Sequence, residues 1–510
     1  MAIPSPGIPI IIDVGSAYIK VGFASETKPA HIFPCITGTE KYQAVMADVS
    51  TRSIYVGDDA MRMRGVLKVK HPIQRGNIQD WNDYYEILNH IFYNLLRLEN
   101  LAFYPILYIE PPFVQRETKD YIARVLFETH KADSLMMVPS PVASIFSAGL
   151  TTGLVIESGD GGTWIVPIIN GQIYNPAVQR LNLGGWDVNQ NLMALMMRHG
   201  IMISSSASEE ILREIKEKYC YFVLDPNNPP TTHEDLLYTM PDGSSVKIPS
   251  QFLHEAPEVM FNPALLGYNC MNIPQAIIYS LQMTDSSYWG ELLAHIVLSG
   301  GNASYSGFEE RLKQELTYLL PQLGQIPKPA STSKPEKSSK LQSLDIAPTK
   351  TEDTCESCGT MVDLTNNKTC PSCGTNMKPP LISFDLGLGS KKEKTPKKQI
   401  CPQCQKVVKD QNSKFCPYCG KIIEAFESLD IVEQKIEEAA VVTSGEFAGF
   451  YDPSEEIIKF YTSKNLEYAS FSGASILASL PSFKSYFITN AEFQLDSNLL
   501  YRDFSEVLSQ

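Results

Sequence analysis

The sequence predicts an α/β protein in which two jaws face one cleft, interrupted by a segment with two small metal-binding ribbons. Apolar strands, helices and short turns alternate before Leu323 and again after about Glu455. Two turns of similar composition, at residues 13–16 and 157–162, each join a pair of apolar strands. Between the two packed regions, eight of the 11 cysteines occur in two repeats of one spacing. These observations set the fold class.

The length and charge of the chain restrict the kind of protein it can be. One hydrophobic core rarely extends beyond about 300 residues, so a chain of 510 residues predicts at least two domains. No apolar stretch is long enough to span a bilayer, and the N-terminus lacks the basic flank of a signal peptide. The net charge of −14 disfavours general nucleic-acid binding, because phosphate requires a basic surface. We therefore expect a soluble intracellular protein.

The first turn, Asp13 to Ser16, joins an apolar strand to one in which apolar and polar residues alternate. Backbone N–H groups in such turns can converge on phosphate oxygens, and Gly15 lets a ligand approach the main chain. Taken alone, the turn is best explained as an ordinary hairpin.

The second turn repeats this arrangement in the stretch LVIESGDGGTWIVPI, residues 154–168. The carboxylates of Asp13, Glu157 and Asp160 would repel phosphate unless a divalent cation stood between them, as hydrated Mg²⁺ does. Together the two turns indicate the jaws of a site for a metal-bound triphosphate.

Three further segments could complete such a site. In VPSPVASIFSAG, residues 138–149, Ser140 is expected to be the N-cap of a helix that ends before Gly149. A second helix places Arg213, Lys216 and Glu217 on one polar edge. The stretch VLSGGNASYSGFEERL is predicted to form a strand, a Gly-Gly turn and a helix, which could approach a nucleotide with its backbone.

The cysteine repeats at 355–373 and 401–419 both have the form C-x2-C, eleven residues, C-x2-C. Four thiolates suit tetrahedral Zn²⁺, with iron as the other candidate, and four protein ligands leave no open position for catalysis. Segments rich in Pro, Ser, Gly and Lys at 327–340 and 387–398 are expected to be tethers. The predicted ligands are Cys355, Cys358, Cys370, Cys373, Cys401, Cys404, Cys416 and Cys419.

In this order the segments resemble actin and the actin-related proteins. The resemblance is carried by stretches such as DVGSAYIKVGFA, TTGLVIESGDGGT, VQRLNLGGWD, ILREIKEKYCYFVLD and SGASILASLPSF, and covers the chain outside the ribbon segment. It implies a two-lobed, four-subdomain actin-like ATPase fold with a duplicated ribonuclease H-like core. It also implies ATP or ADP in the central cleft with Mg²⁺ or Ca²⁺.

The resemblance further implies domain boundaries. The small lobe would comprise 1–147 and 469–510, with its outer subdomain at about 35–71. The large lobe would comprise 148–325 and 455–468, with its outer subdomain at about 184–272. The insertion would run from 326 to 454 and carry ribbons at 355–374 and 401–420.

Site residues can be carried over where this chain matches the actin pattern. Those that match the phosphate and cation loops are Asp13, Gly15, Ser16, Lys20, Ser158, Gly159, Asp160 and Gly161. Those that match the nucleoside side are Gly185, Arg213, Lys216, Glu217, Gly301 and Tyr305.

Four positions depart from that pattern. Actins have Gln where Ser140 stands, His where Trp164 stands and Asp where Glu157 stands, all around the attacking water or the hydrated metal. We expect Ser140 to be occupied with capping its helix, and Trp164 has no acceptor nitrogen to orient a water molecule. Glu467 replaces the Lys that actins stack on adenine, which puts base affinity in doubt. The resemblance thus implies ATP binding with slow hydrolysis.

Two functions remain open at this point. The first is a cytoplasmic, cytoskeletal protein that forms or joins filaments with itself or another actin-like protein, with the ribbons docking a further protein. Residues 39–57 have the length of the actin loop that inserts into the next subunit. The alternative is a non-polymerising actin-related scaffold subunit of a larger complex, for which association with nucleic acid is disfavoured but left open. A nuclear location is also left open if the source is a eukaryote. A sugar kinase or heat-shock chaperone is disfavoured, because the resemblance extends into both outer subdomains.

Overall fold

The computed structural model describes residues 6–41, 54–203, 208–229, 234–240, 243–326, 457–463 and 465–502, with the backbone of four short strands between 352 and 408. The chain divides into two compact units, Met1–Ser331 with Phe426–Gln510, and Thr332–Ala425. In the second unit the four short strands form two antiparallel pairs.

The strands are numbered along the chain. They are β1 (Ile10–Val14), β2 (Tyr18–Phe23), β3 (His31–Pro34), β4 (Thr37–Glu40), β5 (Tyr55–Val56), β6 (Leu67–Lys70), β7 (Ile73–Gln74), β8 (Asn77–Ile78), β9 (Ile106–Glu110), β10 (Ser134–Pro139), β11 (Gly153–Ser158), β12 (Thr163–Ile169), β13 (Gln172–Ile173), β14 (Gln179–Leu181), β15 (Leu236–Thr239), β16 (Ser245–Ile248), β17 (Ile296–Ser299), β18 (Glu352–Thr354), β19 (Met361–Asp363), β20 (Gln399–Ile400), β21 (Val407–Val408), β22 (Phe460–Thr462) and β23 (Ile488–Thr489).

The α-helices are numbered in the same way. They are α1 (Asp58–Arg62), α2 (Trp81–Asn89), α3 (Arg116–Arg124), α4 (Ser140–Ser147), α5 (Gly185–Arg198), α6 (Ser208–Tyr219), α7 (Ser250–Glu255), α8 (Ile273–Gln282), α9 (Trp289–Ala294), α10 (Phe308–Leu319), α11 (Ala469–Ser479) and α12 (Asn490–Leu495).

Two six-stranded sheets repeat one arrangement. The first has the order β23-β10-β9-β1-β2-β3, and β1 runs antiparallel to β2 and parallel to β9. The second has the order β13-β12-β11-β17-β22 with β14 beside β12, and β11 runs antiparallel to β12 and parallel to β17. The β1–β2 and β11–β12 turns therefore occupy equivalent places. Mixed sheets flanked by helices confirm the predicted α/β class.

Helices α4 and α11 pack against each other in a core shared by both sheets. That core includes Ile11 and Val138 from the first sheet and Val155 from the second. The helices cross so closely that a Cβ on Gly473 would overlap the carbonyl oxygen of Ala143. Only glycine fits at this crossing, because any side chain would force the two backbones apart.

Each sheet also has a core on its outer side. In the first sheet, apolar residues of β1, β9 and β10 pack against α2 and α3. In the second, β11 and β17 pack with α5, α6, α8 and α10. None of the helices within the described ranges is both long and apolar enough to cross a membrane.

Candidate functional site

A cavity of about 590 Å³ opens where the two sheets face each other. Its wall is formed by the β1–β2 and β11–β12 turns, the end of β17 and part of α6. Most of the residues predicted for the site line this cavity: Asp13, Gly15, Ser16, Lys20, Ser140, Glu157, Gly159, Asp160, Gly161, Trp164, Lys216, Glu217, Gly301, Tyr305 and Glu467.

The two glycine-containing turns touch each other at the floor of the cavity. The hydroxyl of Ser16 accepts a hydrogen bond from the backbone N–H of Gly76, at 3.0 Å. A Cβ on Gly161 would lie 2.6 Å from Ser16 Oγ and 3.1 Å from the nitrogen of Gly76. Gly161 therefore has no room for a side chain, and the two jaws meet through backbone and one small hydroxyl.

Asp13 is held at the end of β1 by two donors. Its Oδ2 accepts hydrogen bonds from Lys20 Nζ at 3.1 Å and from Ser470 Oγ at 2.9 Å. Lys20 lies opposite Asp13 in the β1–β2 pairing, which explains why residues seven positions apart form an ion pair.

Asp160 forms the matching pair on the opposite jaw. Lys216 Nζ, on α6, lies 3.1 Å from Asp160 Oδ1 and also donates to the carbonyl oxygen of Gly185. Burial raises the pKa of Asp160, but the charges of Lys216 and Arg213 outweigh that effect and hold it below its usual range. Asp160 is therefore ionised at neutral pH.

Ser158 and Gly185 lie behind the wall of the cavity and support it. The Ser158 hydroxyl is buried and hydrogen bonded to Thr163 at 2.8 Å and to the Asn302 amide at 3.2 Å. A Cβ on Gly185 would lie 2.7 Å from Lys216 Nζ. These two residues hold the second turn and the lysine in place.

The start of helix α4 at Ser140 and the contact of Ser140 with Glu157 both differ from what the sequence predicted. Helix α4 begins at Ser140 with Pro139 in the capping position, so the prediction that Ser140 is the N-cap is wrong. The Ser140 hydroxyl is instead hydrogen bonded to the Glu157 carboxyl. Burial raises the pKa of Glu157 to about 7, and the bond from Ser140 opposes the rise. The Oε2 atom of Glu157 is buried and has no partner among the described residues.

Trp164 is enclosed by an aromatic ring and a cation. The Phe113 ring centroid lies 6.1 Å from that of Trp164, and the Arg180 guanidinium lies 5.0 Å from the indole. Arg180 also donates to the carbonyl oxygen of Arg75 at 2.9 Å. Phe113 and Arg75 have φ values of 58° and 52°, a region that costs energy for residues with a side chain. Strained backbone thus borders the part of the cavity that Trp164 lines.

The other end of the cavity is lined by Glu217, Tyr305 and the exposed Glu467. The Tyr18 hydroxyl donates to Glu217 Oε2 at 2.9 Å, and its ring lies 5.9 Å from the guanidinium of Arg213. Arg213 is buried on α6 and paired with Glu210, so the predicted polar edge of this helix faces inward. The hydroxyl of Tyr305 is buried without a partner among the described residues.

Space and unpaired polar atoms indicate that the cavity is built for a ligand. Apart from the chain neighbours, no atom of the described residues lies within 4 Å of a Cβ placed on Gly159 or Gly301, although both glycines line the cavity. Each of the two aspartates is hydrogen bonded through one oxygen in the described part of the chain, so the other can face a hydrated cation. A group of three or more side chains arranged to bind a metal directly does not occur among the described residues. These features fit a phosphate ligand with a water-coordinated divalent cation.

Sequence reasoning missed several residues of this site. They are Tyr18, Arg75, Arg180, Asn302 and Ser470. Tyr18 lies inside a stretch already identified, as the first residue of β2, but its partner Glu217 is 199 positions away in the sequence. The partners of Arg75 and Ser470 are more than 100 positions away in the sequence, so no local pattern indicates them.

Other predicted features lie outside the described residues. All eight cysteines of the two repeats do, and so do residues 42–53 of the loop expected to contact a neighbouring subunit.

The chain matches a protein-family model. The family model described as Actin matches residues 8–340, which is more than half of the chain.

Proposed function

This chain belongs to the actin family, and on that premise we propose that its cleft binds ATP or ADP with Mg²⁺ or Ca²⁺. The observation that carries the proposal is the meeting of two equivalent glycine turns at one cavity, each with an ion pair of Asp and Lys. Lys20 and Lys216 each place a positive charge beside one of the two glycine turns. The two glycines with open space, Gly159 and Gly301, let a ligand reach the backbone.

The residues beside the phosphate end favour binding over rapid hydrolysis. The bound cation would neutralise phosphate charge, and Asp13 and Asp160 would orient its water shell. Ser140 is directed to Glu157, and Trp164 packs against Phe113 and Arg180. Neither side chain is free to orient an attacking water, so we propose a weak ATPase.

A titration of Mg-ATP by calorimetry tests nucleotide binding. Gly159→Ala should leave the unfolding temperature unchanged, because its Cβ meets no atom of the described residues beyond its chain neighbours, yet weaken binding at least about tenfold by entering the phosphate space. Asp160→Ala should weaken binding as well, because phosphate charge is less neutralised. Gly65→Ala is the matched control, since its Cβ also meets nothing within 4 Å and Gly65 does not line the cavity. Wild-type protein that binds no nucleotide would refute the proposal.

We also propose that the protein is cytoplasmic and assembles into filaments with itself or another actin-like protein. Membership of the actin family supports this, and a non-polymerising scaffold subunit remains the alternative. Electron microscopy and a pelleting series over protein concentration, both with Mg-ATP, separate the two. Filaments above a critical concentration favour the first, and a sediment-free series favours the second.

For the segment 326–454, a domain boundary proposed from the sequence, we propose two structural zinc sites that serve protein docking. The support is the repeated cysteine spacing alone. Freshly purified protein should contain two equivalents of Zn²⁺ by mass spectrometry of metals, and deletion of 327–423 should remove both. The deletion variant should still bind ATP, because the two glycine turns and their ion pairs lie outside the deleted residues.

A further inference from the structure

Tyr18 connects the two sides of the cavity at its nucleoside end. It begins β2 of the first sheet, while its hydrogen-bond partner Glu217 lies on α6, 199 positions later in the sequence. Both residues line the cavity. The Gly15 N–H donates to the Tyr18 carbonyl oxygen at 3.1 Å, so the first turn fixes the backbone from which the phenol extends.

A carboxylate in this place is suited to accept hydrogen bonds from sugar hydroxyls. When such an acceptor depends on the ligand for its partner, an analogue without the hydroxyl leaves the carboxylate unpaired and binds much more weakly. Glu217 does not depend on the ligand in this way, because Tyr18 already donates to its Oε2. A carboxylate has about four acceptor positions, so Oε1 can still receive one hydroxyl.

We propose that Tyr18 is a specificity-determining residue that makes the cleft tolerant of nucleotides lacking a sugar hydroxyl, by supplying Glu217 with its own donor. This inference rests on the proposed nucleotide binding. The phenol is well suited to the role, since burial and the neighbouring Glu217 charge raise the pKa of Tyr18 and keep it protonated as a donor. The Arg213 guanidinium beside the ring limits the space into which the ring could turn.

A purely structural role for the same bond predicts a different result. If the hydrogen bond only joins the two sides of the cleft, its loss should raise the dissociation constants of all nucleotides by the same factor. If the Tyr18 hydroxyl replaces a ligand hydroxyl as donor to Glu217, its loss should change the ratio of the dissociation constants of deoxyribose and ribose nucleotides. The ratio is therefore the decisive measurement.

The test measures dissociation constants for ATP, 2′-deoxy-ATP and 3′-deoxy-ATP with Mg²⁺ by calorimetry. Wild-type protein should bind the deoxy ligands within about threefold of ATP, because Glu217 stays paired without the hydroxyl. Tyr18→Phe should widen that ratio to about tenfold, because Glu217, once covered by the bound nucleotide, then lacks a donor whenever the ligand supplies none. In a Glu217→Gln background, Tyr18→Phe should leave the ratio nearly unchanged.

Tyr238→Phe provides the matched control. The Tyr238 hydroxyl donates to Glu214 Oε2 at 2.8 Å, so the same chemical bond is removed from the same helix, but neither residue lines the cavity. This variant should keep the wild-type ratio.

The possible failures are distinguishable. If the wild type binds none of the three nucleotides, the proposed function fails and the inference fails with it. If the wild type binds ATP but binds the deoxy ligands at least tenfold more weakly, only the inference is overturned. This outcome does not depend on whether Tyr18→Phe folds. A Tyr18→Phe variant that weakens all three ligands equally also overturns it.

Discussion

Arg75 and Asp187 form a bidentate ion pair across the cleft. Nη1 of Arg75 lies 2.6 Å from Oδ2 and Nη2 lies 2.8 Å from Oδ1 of Asp187. Arg75 lies in the β7–β8 hairpin, which packs on the core of the first sheet, and Asp187 lies in the first turn of α5. Asp187 is fully buried and also accepts hydrogen bonds from the Gly184 N–H and the Tyr268 hydroxyl. The pair fixes the separation of the two sides of the cavity.

Replacing Arg75 by Met should destabilise the fold by roughly 2 kcal/mol, because a buried carboxylate loses its only charged partner among its described contacts. Arg75→Lys should recover only part of the loss, since an ammonium group cannot donate in the same two-pronged geometry. The measurement is the denaturant midpoint. Arg62→Met is the control, because Arg62 and its partner Asp59 are largely exposed and their ion pair contributes little. Equal losses for Arg75→Met and Arg62→Met would contradict this prediction.

Hydrolysis should be limited by the side chains at 140 and 164. The double variant Ser140→Gln, Trp164→His should hydrolyse ATP at least about tenfold faster than the wild type, since both new side chains can accept a hydrogen bond from water. Phosphate release under single-turnover conditions is the measurement. Trp164→Phe, which supplies no acceptor, should give no acceleration. A wild-type rate equal to that of the double variant would refute the explanation.

The crossing of α4 and α11 should be unusually sensitive to a single methyl group. Gly473→Ala places a Cβ on the carbonyl oxygen of Ala143, so the helices must separate, at a cost of about 3 kcal/mol or more. We expect a large fall in the unfolding temperature and a loss of ATP affinity. Gly65→Ala, which meets no atom within 4 Å, should do neither. An unchanged unfolding temperature in Gly473→Ala would mean that the crossing is looser than described.

A buried histidine should make stability depend on pH. Burial among Tyr85, Phe92 and Tyr93 lowers the pKa of His130 to about 4, from 6.5. Because the unfolded chain then binds a proton that the folded chain does not, stability should fall as pH decreases from about 6.5 towards 4, by about 1.4 kcal/mol per unit. His130→Phe should remove this part of the slope between pH 6.5 and 4.5, measured from unfolding midpoints. A variant with the wild-type slope would contradict the assignment.

The parts of the molecule that the sequence predicted are those with local signals. Each glycine turn is set by a few adjacent residues between apolar strands, and the structure has strand pairs β1–β2 and β11–β12 at these places. The α/β class and the actin family follow from the same stretches. The turn at Gly300 and Gly301 leads first into a short 3₁₀ helix, Gly301–Ser304, before α10 begins. The predicted order of strand, Gly-Gly turn and helix is therefore confirmed, with this 3₁₀ helix between the turn and α10.

What the sequence could not predict depends on contacts between distant segments. Serine is a residue type that often caps helices, so Ser140 was expected to be the N-cap. In the structure its hydroxyl is hydrogen bonded to Glu157 from β11, and the helix starts one residue earlier than expected. Tyr18 looks like an ordinary strand residue until α6 brings Glu217 opposite it. Such pairs can be identified only when the fold is known, because the sequence around each of the two residues has no pattern that indicates its partner.

Each large sheet includes a strand from the C-terminal part of the chain, so neither sheet can be completed until that part has been synthesised. β22 completes the second sheet beside β17, and β23 completes the first beside β10, yet residues 327–456 are made before either of them. A ribosome needs on the order of ten seconds for that interval. During this time the edges of β17 and β10 have unpaired backbone groups, and α4 lacks its partner α11. The nascent protein therefore passes through a stage in which both large sheets have an open edge and the cavity wall lacks Glu467 and Ser470, and that stage is where chaperone protection would matter most.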